Sequence, residues 1–216
     1  MNLKNYYWYF DSVLSDKQCD DIIEYVKSTR EKVRAKIGLG TYAKEKYQDI
    51  VNQRNSDVNW IDEPWIYQIL NPYIQIANKN ANWNYQWDWS EVAQFTHYKK
   101  GQFYNWHWDD WGNPYKDKDK DPDSNLSTYN KNYVGKIRKL SSIIQLTDPK
   151  KYSGGELEFC FPDSRPDKKQ VTRICKEFKP RGSIVIFPSF LYHRIKKVTR
   201  GERNSLVCWS LGKPWQ

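Results

Sequence analysis

The chain of 216 residues has three histidines, four cysteines and no long apolar run. The absence of a run of 18 apolar residues excludes a membrane-spanning helix, so we expect no membrane association. The first residues lack the charged-then-apolar pattern of a signal peptide. The cysteines are widely spaced and include no C-x-x-C pair. Together these absences favour reduced thiols and a cytoplasmic location.

The composition favours a single β-rich domain. A chain of this length can bury a substantial core, and one domain over residues 1–216 is the expected organisation. Eleven tryptophans and sixteen tyrosines suit strands and a rigid aromatic pocket better than a helix bundle. The net charge of +9 would suit nucleic acid or another acidic partner. Because the basic residues are spread along the chain, the charge gives only weak support to either partner.

Helical patterns occupy about residues 1–84 and predict a helical support. Ser15 and Gln18 form a capping box at the start of a helix that runs to about Lys32. A second helical stretch begins near residue 62. Pro72 inside it predicts a kink or a break, because proline removes a backbone hydrogen bond.

From about residue 85 to residue 212 the patterns change to those of β-strands. Helices followed by seven or eight strands predict an α+β fold. Its core would be a double-stranded β-helix, which is a cupin-like jelly roll. The predicted strands are 85–89, 92–98, the strand around 107, 139–147, 156–161, 182–188 and 203–209.

The segment 112–134 interrupts this pattern. It is rich in Asp, Lys, Asn and Pro and has too little apolar content to pack. Long irregular insertions beside a functional strand are either disordered or active-site lids. We expect a mobile loop here, and the sequence does not decide between disorder and a lid.

A metal site is suggested by the stretch Tyr104-Asn-Trp-His107-Trp-Asp109. In a strand, residues two apart face the same side, so His107 and Asp109 would project together. Alone, the pair is better explained as a hydrogen-bonded surface contact, because this spacing is common. If His193 joined them, two histidines and one carboxylate would leave metal positions open, as in non-haem Fe(II) oxygenases.

An anion site is suggested by the last predicted strand. Period two places Arg203, Ser205 and Trp209 on one face. An inward arginine is costly unless it meets an anion, and its fork matches a carboxylate. A small dicarboxylate that also chelates a metal would account both for the arginine and serine of this strand and for the predicted metal site. Trp209 could equally be a plain core aromatic, and His97, on the face opposite Tyr98, is expected not to be a ligand.

An ordered series of motifs resembles the Fe(II)/2-oxoglutarate-dependent dioxygenases, specifically their prolyl 4-hydroxylase-like branch. The resemblance covers about residues 95–212. Its motifs are Tyr98-x-x-Gly-x-x-Tyr-x-x-His107-x-Asp109, Arg138-Lys-Leu-Ser, Tyr152-Ser-Gly-Gly-Glu-Leu, Gly182 to Phe187, His193 and Gly201-x-Arg203-x-Ser205.

The resemblance implies a set of site residues. It assigns iron to His107, Asp109 and His193, and the cosubstrate 2-oxoglutarate to Arg203, Ser205, Tyr98, Gln145 and Trp209. Tyr98 stands where the family has a cosubstrate-contacting tyrosine. Gln145 stands where some relatives carry another one.

The resemblance also implies a reaction. Dioxygen would oxidatively decarboxylate 2-oxoglutarate to succinate and CO2, and an unactivated C–H bond would be hydroxylated, with ascorbate as a candidate reductant. A prolyl residue of a peptide or protein is the implied substrate. In the nucleic-acid branch of the superfamily, a second arginine follows the cosubstrate-binding arginine by six residues. Here the position six residues after Arg203 is Trp209, which argues against that branch. The sequence also leaves open the oxygenation of a small molecule and a non-catalytic cupin-like binding module.

Overall fold

One layer of the structure consists of helices. The structure is a computed structural model that describes residues 2–29, 33–34, 52–110, 112–122, 124, 126–161 and 170–215. The long α-helices within these ranges are α1 (Asp16–Thr29) and α2 (Pro64–Asn80), residues 52–53 are also helical, and two 3-10 helices span Leu3–Asn5 and Lys176–Phe178. In this part of the chain, no helix has the length and apolar character needed to cross a bilayer.

Helix α1 begins at the predicted capping box. The Ser15 N–H donates to Gln18 Oε1 at 2.9 Å, and the Gln18 N–H donates to Ser15 Oγ at 3.2 Å. This exchange satisfies donors that the first helical turn leaves unpaired. The helix is described to Thr29, and the predicted continuation to Lys32 lies outside the described residues.

Helix α2 continues through Pro72, so a break at this proline is excluded and a kink there stays a prediction. The helix starts at Pro64, where the missing N–H of proline is tolerated, and continues through Pro72. Leu70 before the proline and Ile74 after it are both fully buried against the sheet. Packing of this apolar face therefore offsets the hydrogen bond that Pro72 removes.

The described strands are short at the edges and long in the centre. They are β1 (Trp8–Phe10), β2 (Val33–Arg34), β3 (Arg54–Asn55), β4 (Asp57–Ile61), β5 (Trp89–Ser90), β6 (Ala93–Tyr98), β7 (Phe103–His107), β8 (Lys116–Asp117), β9 (Ser127–Thr128), β10 (Ile137–Gln145), β11 (Tyr152–Gly154), β12 (Leu157–Phe161), β13 (Val171–Ile174), β14 (Ile184–Pro188), β15 (His193–Ile195), β16 (Val198–Gly201) and β17 (Arg203–Gly212).

Two antiparallel sheets form the core of the fold. The major sheet has the order β1-β14-β10-β17-β6-β4-β2, with β5 added beside β17, and the minor sheet has the order β13-β12-β15-β7-β3. Neighbours in space are distant in sequence, as in a jelly roll. The predicted α+β fold with a double-stranded β-helix core is confirmed.

Each face of the major sheet has its own apolar cluster. On one face, α1 and α2 pack against strand residues such as Leu140 and Leu206. On the other face, Phe187 of the major sheet meets Phe159 of the minor sheet, with ring centroids 5.0 Å apart. The helices therefore cover the outside, and the space between the sheets holds the second cluster.

Several strands differ from the prediction. The first 84 residues contribute β1 and β4 to the major sheet, so this part is more than a helical support. Of the predicted strand 85–89, only Trp89 is in a strand. The short strands β11, β13, β15 and β16 were missed because three or four residues give too little periodicity to detect.

The segment 112–134 is held by contacts of its own. The strands β8 and β9 pair in parallel, and Lys131 Nζ lies 2.8 Å from carboxylates of two aspartates in the segment. At its ends, Tyr115 OH donates to Glu91 Oε1 at 2.9 Å, and Tyr133 OH accepts the Val92 N–H at 2.9 Å. Tyrosine hydroxyls thus replace the apolar packing that the composition lacks. Movement of this segment as a lid stays a prediction.

Substituting Gly182 tests how the N-terminal region is joined to the barrel. Gly182 has a φ of +77°, and an added Cβ would lie 2.1 Å from the Leu14 carbonyl oxygen. We expect Gly182→Ala to lose more than about 2 kcal/mol of unfolding free energy, since left-handed strain alone costs roughly 1–2 kcal/mol. Gly101→Ala is the matched control, because Gly101 has a φ of +88° and open space around it. Equal losses for the two variants in urea unfolding would contradict this account.

Candidate active site

His107 and Asp109 lie at the end of β7. The strand ends at His107, so the prediction that both residues belong to one strand is wrong. The Asp109 N–H instead donates to the Ser189 carbonyl at 2.8 Å, just beyond the end of β14. The carboxylate still meets the imidazole, with His107 Nε2 and Asp109 Oδ1 3.6 Å apart.

His193 reaches the same point from β15. It stands directly opposite His107 in the antiparallel pairing of β15 with β7. His193 Nε2 lies 3.7 Å from Asp109 Oδ2, and one donor atom from each of the three residues lies within 4.8 Å of the others. The structure therefore brings together the three residues that the sequence singled out.

Hydrogen bonds orient both imidazoles. His107 Nδ1 donates to the Asn105 carbonyl at 2.7 Å, and His193 Nδ1 donates to the Leu191 carbonyl at 2.8 Å. A carbonyl oxygen only accepts, so each Nδ1 carries a proton, and in a neutral imidazole of this tautomer Nε2 has a free lone pair. Backbone carbonyls hold metal-binding histidines in this way in many proteins.

Burial and neighbouring charges set the protonation of the cluster. Burial, together with the nearby His193, holds the pKa of His107 well below its usual range. Burial alone would raise the pKa of Asp109, but His193, His107 and Arg138 lower it, and Ser141 Oγ donates to Asp109 Oδ2 at 2.7 Å. A neutral imidazole beside an ionised carboxylate is the form that binds a metal.

Arg203 is a buried guanidinium without a counter-ion in the described part of the chain. It opens β17 and is 1% exposed. Its Nη1 donates to Ser205 Oγ at 3.3 Å, whereas Nη2 is buried and has no hydrogen-bond partner. Its central carbon lies 5.6 Å from the ring centre of Tyr98, its register partner on β6. Burial raises the pKa of Tyr98, so its hydroxyl stays protonated beside Arg203.

Two adjacent cavities divide the predicted site residues. A narrow cavity of about 30 Å³ is lined by the three clustered residues together with Tyr98, Ser205 and Trp209. A larger cavity of about 290 Å³ is lined by Arg203 and Tyr152. Gln145 lines neither one. Its Nε2 donates to Tyr152 OH at 2.6 Å, which places it at the edge of the second cavity.

His97, the remaining histidine, belongs to a different environment. It is buried, its Nδ1 lies 2.6 Å from Asn204 Oδ1, and its Nε2 lies 3.4 Å from the Glu202 carboxylate. As the strand alternation predicted, His97 lies apart from the cluster.

Comparison with known proteins assigns the fold and the site to a family. The family profile described as 2OG-Fe(II) oxygenase superfamily matches residues 93–211, which is more than half of the chain. The chain belongs to the 2OG-Fe(II) oxygenase superfamily.

Two further kinds of likeness agree with this family. A PKHD-type hydroxylase of Gluconacetobacter diazotrophicus is 34% identical over 71 residues, which cover 33% of this chain and only 27% of that relative. A Pseudomonas putida prolyl-4-hydroxylase shares the fold with a TM-score of 0.61 at 18% identity, over 99% of this chain and 96% of that one. A viral collagen prolyl hydroxylase from Paramecium bursaria Chlorella virus-1, solved as a 2OG complex, has a TM-score of 0.57 at 21% identity, over 96% of both chains.

The side chains present fit the two groups after which the superfamily is named. Two imidazole Nε2 atoms and one carboxylate form the open-sided donor set that suits Fe(II). The buried, unpartnered Arg203 Nη2 suits a carboxylate, because a guanidinium forms charge-assisted, fork-shaped hydrogen bonds with one.

Sequence reasoning missed a buried ion pair behind the candidate site. Arg138 Nε and Nη2 each donate to the Glu91 carboxylate at 2.6 Å, and Arg138 Nη1 donates to the Asp109 carbonyl at 3.3 Å. The Arg138 guanidinium also lies 3.9 Å from the ring centre of Trp209. Arg138 was noted only as a motif residue. Glu91 gives no local signal, because its partner is 47 residues away.

A stack of three side chains next to the candidate site was also missed. The Arg54 guanidinium lies 4.5 Å from the Tyr104 ring centre, and Tyr104 stacks on His107 at 3.5 Å with an angle of 12°. Arg54 is buried, and its Nε donates to Ser56 Oγ at 3.0 Å. The stack fixes the plane of the His107 ring.

Glu91→Gln should strongly destabilise the protein. Removing one partner of a buried ion pair leaves the other charge uncompensated, which costs about 3–5 kcal/mol. Asp88→Asn is the matched control, because it removes a carboxylate that is 60% exposed and pairs with Lys136 at 2.7 Å. We expect a loss below about 1 kcal/mol for that surface pair. Chemical unfolding measures both variants, and a loss below about 1 kcal/mol for Glu91→Gln would show that the pair is replaceable.

Proposed function

We propose that this chain is a hydroxylase that uses Fe(II), 2-oxoglutarate and dioxygen to hydroxylate a prolyl residue of a peptide or protein. The observation that carries the proposal is the His107, Asp109 and His193 cluster beside the Arg203 guanidinium, which has no counter-ion among the described residues. One group needs a metal cation and the other needs an anion. A dicarboxylate that chelates the metal at one end and pairs with the guanidinium at the other would link the two groups with one molecule.

The three clustered residues would hold iron from one side. When bound with 2-oxoglutarate, iron supplies the oxidising power that inserts one atom of dioxygen into a C–H bond, with succinate and CO2 as products. Facial ligation by three side chains leaves the opposite side of the site free for cosubstrate and dioxygen. The hydrogen bonds to Asn105, Leu191 and Ser141 keep the three ligands aimed at this position.

Arg203 would bind the distal carboxylate of 2-oxoglutarate. Ser205 Oγ already accepts one of its hydrogen bonds, and Tyr98 lies over the guanidinium. These contacts limit the rotamers open to Arg203, so little further ordering is needed on binding. The Gln145–Tyr152 hydrogen bond borders the same cavity and would restrict its length.

The proposed substrate rests on the relatives and on the entrance of the site. The relative from G. diazotrophicus is a PKHD-type hydroxylase, and two structures of similar fold are prolyl hydroxylases. An outer cavity of about 250 Å³ shares His107 and Asp109 with the site and is walled by Trp106, Trp108 and Tyr192. Aromatic walls of this kind suit an extended proline-containing peptide. Ascorbate is the proposed reductant.

Asp109→Asn should lower Fe(II) affinity and abolish succinate formation from 2-oxoglutarate. The amide keeps the size of the side chain but removes the charge that a hard cation needs. Asp110→Asn is the matched control, because Asp110 is a buried neighbouring carboxylate that bonds the Gly112 N–H and lies outside the cluster. Iron binding is measured under anaerobic conditions and succinate by mass spectrometry. If Asp109→Asn bound iron as Asp110→Asn does, the metal site would be elsewhere.

Arg203→Ala should weaken 2-oxoglutarate binding far more than iron binding. A charge-assisted contact of about 1.5–3 kcal/mol corresponds to a loss of roughly ten- to a hundredfold in affinity. Arg203→Lys should recover only part of the loss, since an ammonium cannot form the fork. The visible charge-transfer band of the anaerobic iron complex, titrated with 2-oxoglutarate, measures the dissociation constant. An unchanged constant in Arg203→Ala would remove Arg203 from the cosubstrate site.

A further inference from the structure

Arg203 lies between two cavities of the barrel. Three residues of β17 that precede it along the inner face, Trp209, Val207 and Ser205, line the narrow cavity beside the three-residue cluster. The next residue of that face, Arg203, lines the larger cavity of about 290 Å³ instead. Because side chains two apart in a strand share a face, these residues follow one another along the barrel. The larger cavity therefore lies beyond the narrow one, on the side away from the cluster.

One edge of the Arg203 guanidinium lies beside the larger cavity. Nη1 donates to Ser205, and Nη2 is sealed in the core without a partner. Nε also has no partner among the described residues, but it is not a sealed atom, so it keeps access to the cavity surface. The carbon bonded to Nε lies next to Gly155, another residue of the cavity wall, whose added Cβ would be 3.0 Å from it. Nε is therefore the donor that an anion in this cavity meets.

Two lysines stand at the outer end of the larger cavity. Lys176 and Lys179 line it, and both are exposed. Within the described part of the chain, neither ammonium has a carboxylate partner. Among the described lining residues, one carboxylate, that of the half-buried Glu156, opposes these charges. Burial raises the pKa of the Cys175 thiol to about 12, so this wall residue is neutral. With the guanidinium, the cavity thus has cations at its inner and outer ends and a positive balance.

The wall between the charged ends is apolar. Leu157 and Phe178 are buried there, and Ile174 is half-buried. The volume is at the lower end of the range for small-ligand pockets, which is about 300–1,000 Å³. Methylene groups bury favourably against such a wall, and carboxylates pair favourably with guanidinium and ammonium groups. A methylene chain with a carboxylate at each end therefore complements both the charged ends and the apolar middle of the cavity.

We infer that the larger cavity is a second, inhibitory anion site, which takes an unbranched α,ω-dicarboxylate between the Arg203 guanidinium and the ammonium groups of Lys176 and Lys179. Binding needs no metal, because cations and apolar side chains of the chain itself supply the contacts. The inhibitory effect rests on the proposed function. The cosubstrate also requires Arg203, so the two anions compete for one guanidinium, and each weakens the binding of the other by the same factor.

The first test measures the binding of adipate and hexanoate to the full chain by calorimetry, without metal. Hexanoate has the same chain length and lacks one carboxylate, so it should bind about ten- to a hundredfold more weakly than adipate. Lys176→Gln/Lys179→Gln should weaken adipate binding about three- to thirtyfold, because exposed ion pairs are screened by solvent. Lys27→Gln/Lys79→Gln is the matched control, which removes the same charge from exposed positions on α1 and α2 and should leave adipate binding unchanged.

The second test separates this site from the cosubstrate site. Added Fe(II) should leave the dissociation constant of adipate unchanged, whereas 2-oxoglutarate binding should depend on the metal. Ile174→Trp fills the apolar middle of the cavity and should abolish adipate binding. The same variant should keep its affinity for 2-oxoglutarate in the presence of Fe(II), because residue 174 lies outside the wall of the narrow cavity. In the wild type, saturating adipate should raise the apparent dissociation constant of 2-oxoglutarate about five- to a hundredfold.

The outcomes distinguish this inference from the proposed function. Adipate that binds only with Fe(II), or that binds both lysine double variants equally, would place it in the cosubstrate site and overturn the second site. Equal affinities for adipate and hexanoate would overturn the two-ended recognition. An unchanged 2-oxoglutarate constant under saturating adipate would overturn the competition for Arg203. If the wild type bound adipate as expected and formed no succinate from 2-oxoglutarate, the proposed function would fail and the second site would stand.

Discussion

The pairing of β7 with β15 is the constraint on which the candidate site depends, because it sets His107 directly opposite His193. Opposed residues in an antiparallel pair have Cβ atoms about 4.5–5.5 Å apart, so two imidazoles reach one point without distorting either strand. A slip of one residue would turn one ring to the other face of the sheet. The neighbouring strand β12 holds this register, because it pairs Phe159 with His193. Phe159 in turn packs against Phe187 between the sheets.

The three arginines buried around the site differ in whether their charge is paired. Arg138 is neutralised by Glu91, and this pair supports the backbone at Asp109. Arg54 and Arg203 each keep a buried Nη2 without a hydrogen-bond partner in the part of the chain that the structure describes. Unmet buried donors lower stability, and ligands that satisfy them bind only the folded state and stabilise it. We therefore attribute Arg138 to structure and, under the proposed function, Arg203 to ligand binding.

The sequence predicted the parts of the fold and site that depend on local spacing. The capping box at Ser15 and the meeting of His107 with Asp109 follow from patterns within a few residues, and the jelly-roll class follows from the order of such patterns along the chain. Predictions failed where packing between distant segments decides the structure. Pro72 sits inside a helix because both halves pack on the sheet. Arg54 is far from Tyr104 along the chain, and periodicity contains no information about such a contact.

The insertion 112–134 is connected to the site through its base. Tyr115 OH donates to the same Glu91 oxygen that accepts the Arg138 Nε hydrogen bond. Arg138 in turn donates to the backbone carbonyl of Asp109. Buried polar networks of this kind respond as a unit, because each bond polarises the next. A rearrangement of the insertion that broke the Tyr115 contact would therefore alter the support of Asp109. The composition of the segment predicts a polar loop without a role in the rest of the fold. Its hydrogen bond to Glu91 instead makes it part of the structure that positions the Asp109 carboxylate.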